Sequence, residues 1–131
     1  MLEELRRVES MMANELPLPP RSDPRMRMFA LSSRGRIRLQ RRDARGLTDY
    51  LEAIDIAGNM NDLQALADIE YDLAEVLFAS DRRKQAPYYA ADALAHFGKV
   101  GEPGAAGLAK TRELLDRIEQ NLDRGGVSDK S

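Results

Sequence analysis

Within this chain, Gly46-x3-Tyr50-x2-Ala53-Ile54 returns forty positions on, at 86 against 46, as Ala86-x3-Ala90-x2-Ala93-Leu94. The breaks that follow also correspond: Ala57-Gly58-Asn59-Met60-Asn61-Asp62-Leu63 against Phe97-Gly98-Lys99-Val100-Gly101-Glu102-Pro103. A fixed internal period constrains the fold more tightly than composition does. Each unit is one supersecondary element too small to bury its own apolar face, so neighbouring units must stack. The expected architecture is an all-α array of antiparallel helical hairpins, and the job of such an array is to hold a partner.

Apolar spacing predicts the individual helices. Residues 2–15 read as a short amphipathic helix, with Leu2, Leu5, Val8 and Met12 at helical spacing. A helix this short needs a surface to lie on: foremost the domain itself, as an ordinary packed first helix, or else the repeat groove or a second copy of the chain. Pro17, Pro19, Pro20 and Pro24 then mark a linker over 17–25. Pro17-Leu18-Pro19-Pro20-Arg21 resembles a ligand for a proline-recognising domain, but its arginine sits one place too close to the last proline. Residues 25–42 fit either a helix, with Met28, Leu31, Gly35 and Leu39 on one face, or a hairpin around Ser32-Ser33-Arg34-Gly35. The forty-residue offset favours helix, because it sets this segment opposite the clear helix at 62–80.

From there the pattern sharpens. Leu47, Tyr50, Leu51, Ile54 and Ala57 form the expected face of one helix, stopped near Gly58-Asn59. Asn61 or Asp62 caps the next, whose stripe is Leu63, Leu66, Ile69, Leu73, Val76 and Leu77. Ala86, Ala90, Ala93, Leu94 and Phe97 carry the following one, with Pro87 confined to its first turn. Pro103 opens the last helix, whose seam is Leu108, Thr111, Leu115, Ile118 and Leu122. The array is expected over 26–124, preceded by the helix at 1–16 and followed by a frayed tail at 125–131.

Small residues at Ala74, Ala86, Ala90 and Ala93, with Leu73 and Leu77, resemble the consensus of a tetratricopeptide repeat. Tyr50 and Ala53 look like the matching positions of the preceding unit, where Arg34 stands in place of a small residue. A period of forty rather than thirty-four is similar to the lengthened repeats of bacterial transcription regulators and scaffolds. The resemblance implies a short tetratricopeptide-like array in which the first helix of each pair lines a groove. The groove positions it implies here are Asp68, Tyr71, Asp72, Glu75 and Phe78, an acidic surface with two rings suited to a basic or amphipathic segment. The lysine and asparagine set that clamps a carboxylate terminus in some relatives is absent.

Charge is strongly segregated. Residues 21–45 hold nine arginines and two aspartates, whereas 46–80 hold eight carboxylates and no basic residue. Such blocks pair with each other or face separate partners. Arg34, Arg36, Arg38, Arg41 and Arg42 form the alternative site, a basic patch for nucleic acid. Against that use, Phe29 is the only aromatic in the block, and a single-strand platform needs several.

The inventory for catalysis is thin: one histidine, no cysteine and no glycine-rich loop leading into a helix. His96 has only Asp92 at a neighbouring turn. Asp68 and Asp72 alone make a weak cation site. No enzyme activity, metal or cofactor is expected. The absence of cysteine fits a reducing cytoplasm, and no apolar run is long enough to span a bilayer. The resulting reading is a non-catalytic adaptor or regulatory module for another protein, with copies of the chain able to associate.

Overall fold

The computed structural model describes residues 18–130, with side chains described as far as Asn121. The expected helix at 2–15, and Pro17 of the linker, lie outside the described residues. Five helices and no strand occur among those described. They are α1 (Pro24–Gln40), α2 (Arg45–Asn59), α3 (Leu63–Phe78), α4 (Ala86–Val100) and α5 (Ala105–Lys130). The chain divides into two compact units, Met1–Asn61 and Asp62–Ser131.

In the first unit, α1 packs along α2. The Asp23 side chain caps α1 by accepting from the Met26 amide at 3.3 Å, and Pro24 occupies the first turn, where its missing N–H is no loss. The segment that also fitted a hairpin is therefore helical. Met28, Leu31, Gly35 and Leu39 all lie on its buried face, as the spacing predicted.

Gly35 and Gly46 set the separation of the two helices. A methyl on Gly46 would come within 2.5 Å of the Gly35 carbonyl oxygen, and one on Gly35 within 2.8 Å of the Gly46 oxygen. The backbones touch because neither residue has a side chain. That approach turns α2 relative to expectation. Its buried face is Gly46, Asp49, Tyr50, Ala53 and Ala57, while Leu51, expected in the core, is 43% exposed. The helix ends at Asn59, where the Gly58-Asn59 break was expected, and Asn61 beyond its cap takes the left-handed conformation (φ 56).

Asp49 enters this interface as an ion. It accepts from Arg34 Nη2 at 2.8 Å and Nε at 3.1 Å, and from Arg38 Nη1 at 3.0 Å. Stranding such buried guanidinium groups costs about 3–5 kcal/mol, so the trio fixes the register of the hairpin. Arg27 pairs with Glu52 at 3.0 Å and donates to the Pro19 carbonyl, tying the incoming chain to α1.

The second unit is a three-helix assembly in which α4 packs against both α3 and α5. Asp62 caps α3 through the Ala65 amide at 3.0 Å. Leu66, Ile69, Leu73, Val76 and Leu77 are buried as expected, together with Ala67, Glu70 and Ala74. Leu63, expected in the same stripe, is 37% exposed because it sits at the helix start, ahead of the packed turns.

Ala86, Ala90 and Ala93 are fully buried on α4, so small side chains again let helices come close. Pro87 lies in the first turn of α4. Gly101 ends the helix with φ 87; Pro103, expected to open the last helix, instead lies inside a short 3-10 turn, Glu102–Gly104, and α5 begins at Ala105. The ring of Phe97 fills the space where a Gly107 side chain would be. Burying a side chain of that size is worth about 1.5–3 kcal/mol.

The α5 seam differs from expectation by one residue. Thr111, Leu114 and Ile118 are buried, whereas Leu108 and Leu115 are half-buried. Leu114 was missing from the expected set, although Thr111 and Ile118 of that set are buried; Gly107 sits directly against the Phe97 ring, with Leu108 packed beside it. Leu122 lies beyond the described side chains. The helix continues past Gly125-Gly126, each of which costs only about 1 kcal/mol against alanine.

Candidate functional site

Gln64, Asp68, Tyr71, Glu75 and Phe78 alternate at spacings of four and three along α3, which keeps them on one stripe. Asp72 lies at its edge, one turn after Asp68. The stripe has both hydrocarbon and charge. Tyr71 is half-buried and packs against the Ala67, Ala93 and Phe97 cluster beside Leu108. Its hydroxyl donates to Glu75 Oε2 at 3.4 Å. Burial first, and then the Glu75 carboxylate, push that hydroxyl above its ordinary pKa. Asp68 is exposed and accepts from Gln64 Nε2 at 3.2 Å.

The acidic surface implied by the resemblance is incomplete, because cations of the same unit stand over both rings. Lys110 Nζ from α5 lies 5.1 Å from the Tyr71 ring centroid. Arg83, in the 3-10 turn Arg83–Gln85, lies 5.6 Å from that of Phe78 and donates to Asn121 Oδ1 at 2.9 Å. Glu113 and Arg117 of α5 also act electrostatically on Tyr71. The face is thus mixed in charge. Its α5 members could not be assigned to this face from sequence, because spacing along one helix does not report how α5 packs beside α3.

The alternative basic set does not gather into one patch. Arg34 and Arg38 are taken up by Asp49, and Arg36 is half-buried. Arg41 and Arg42 are exposed in the turn after α1. Pairing between the 21–45 and 46–80 blocks therefore accounts for part of the charge segregation.

Two other features stand apart from these sets. His96 Nδ1 lies 2.6 Å from Oε1 of Glu70, a carboxylate only 5% exposed. Burial raises the pKa of Glu70, and the hydrogen bond to His96 opposes that rise. The signal was present in sequence as a carboxylate inside the apolar stripe of α3, facing a chain with a single histidine. In the first unit, Arg21, Pro24, Arg27, Glu52, Asp55, Ile56 and Asn59 line an open cleft of about 310 Å³, where Arg27 is already engaged by Glu52.

Among the described residues, no cluster of three or more metal-ligating side chains occurs, and no helix is long and apolar enough to cross a membrane. No protein-family model, curated protein sequence or solved structure matches the chain.

Proposed function

We propose that this chain is a non-catalytic adaptor or regulatory module that holds a basic or amphipathic segment of another protein against α3, in the manner of a tetratricopeptide-like repeat. The observation that supports this reading is the α3 stripe itself. It sets Glu75 between the Tyr71 and Phe78 rings and Asp68 one turn ahead of Tyr71, on a helix whose opposite side is occupied by core packing. Aromatic surface supplies contact area and carboxylates supply charge selection, the usual division of labour in peptide capture. Nucleic-acid binding through Arg34, Arg36, Arg38, Arg41 and Arg42 has less to support it, since Asp49 already takes up two of the five.

The test is capture of a partner by the intact chain and by charge-reversed forms. Glu75→Lys and Asp68→Lys are expected to weaken capture about tenfold or more while far-ultraviolet circular dichroism is unchanged. Tyr71→Ala is a poorer probe, because Tyr71 also packs against Phe97 and its loss lowers stability. Full capture by both charge-reversed forms, or a mobility shift of RNA or DNA that persists at physiological salt, would overturn the reading.

A further inference from the structure

The two rings of the α3 stripe each carry a cation that comes from elsewhere in the same unit. Lys110 covers Tyr71 and Arg83 covers Phe78. Both cations are exposed, and both are carried on long side chains with several rotatable bonds. A cation over a ring at an exposed position is held weakly, so it exchanges readily for another. Meanwhile the outer side of α3 carries Asp68, Asp72 and Glu75 with no lysine or arginine, a field that favours positive charge at its surface.

Resting on the docking reading above, we propose that Lys110 and Arg83 occupy, in the free chain, the two cation positions that the partner's basic segment takes when it binds. This identifies the partner by chemistry. Tyr71 and Phe78 are seven residues apart on one helix, about 10 Å along its axis. The matching segment presents two arginines or lysines at that separation, which means i and i+7 on a helix or i and i+3 on an extended strand. It also means that the chain competes with its own ligand. Removal of Lys110 opens the Tyr71 position and tightens binding, the reverse of what loss of an ordinary contact residue does.

The experiment titrates the full chain with two helical peptides of equal charge, one with arginines at i and i+7 and the other at i and i+5. Anisotropy of a label on the peptide is the readout. The wild-type chain is expected to prefer the i, i+7 peptide, and Lys110→Met to bind it about two- to fivefold more tightly. Arg112→Met is the control, because Arg112 is exposed on the far side of α5 and its loss changes net charge equally. It should leave affinity within the charge effect common to both variants. Equal melting temperatures of the two variants establish that the fold is unchanged.

If the i, i+7 peptide binds and Glu75→Lys abolishes binding, but Lys110→Met tightens it no more than Arg112→Met, self-occupancy is overturned and docking stands. Indifference to arginine spacing overturns the two-position assignment in the same way. If neither peptide binds any form of the chain, both readings fall together.

Discussion

Glu70 is a carboxylate at a position where the α3 pattern calls for hydrocarbon, and its partner His96 lies on the next helix. Burial penalises the charged form, so the folded chain holds the Glu70 proton to a higher pH than the unfolded chain does, even with His96 opposing. The sign follows from proton uptake. Stability from this group is fully present below the ordinary glutamate value of 4.5 and is lost as pH rises through the raised folded value. Glu70→Gln removes the titration, so the stability difference between wild type and variant should turn against wild type as pH rises above about 4.5. Urea melts at several pH values measure it, and a difference that stays flat with pH would refute it. Asp43 does not interfere. Its hydrogen bond from Arg45 lowers it to about 2, so its contribution is present above 3.8 and lost as pH falls through about 2. The sequence displayed Glu70 and the lone histidine separately. Their pairing depends on how α3 and α4 pack, which spacing along one helix does not report.

At the scale of elements, most helices were legible because their apolar residues recur at helical spacing and their caps are explicit, as at Asp62. What periodicity missed was rotation. It ranks a face by hydrocarbon and so favoured Leu51, whereas the hairpin closes on Gly46, which has none. The same blindness displaced the α5 seam from Leu114. Two glycine substitutions separate these effects. Gly46→Ala drives a methyl into the Gly35 carbonyl and should destabilise the chain by about 1–3 kcal/mol. Gly98→Ala meets nothing within 4 Å on α4 and should stabilise by about 0.5–1 kcal/mol through helix propensity alone. Thermal and urea unfolding read both. Equal effects would mean that the approach at Gly35 and Gly46 can relax.

For the whole molecule, the two compact units differ in how many helices they pack. The Asp62–Ser131 unit packs three helices around Phe97, Leu114 and Ile118 with the buried α3 face. The hairpin of the other unit leaves Met26, Phe29 and Leu51 more than two-fifths exposed. An isolated 62–131 chain is therefore expected to keep its helicity and melt cooperatively by circular dichroism. A broad, non-cooperative melt would show that its core requires residues 1–61. Of the α3 positions implied by the resemblance, Asp68, Tyr71, Glu75 and Phe78 recur along one stripe with Asp72 at its edge, and the cations over the two rings come from Arg83 and Lys110, outside that helix.

Phe97 and Gly107 carry a consequence for which helices can stand in the place of α5. Forty residues before Phe97 stands Ala57, a methyl in place of a benzyl group. Any substitute for α5 must therefore arrive with a vacancy two residues in from Ala105, or the ring has nowhere to go. The joint is keyed by an omission: what admits the ring is a hydrogen atom where every other residue has carbon.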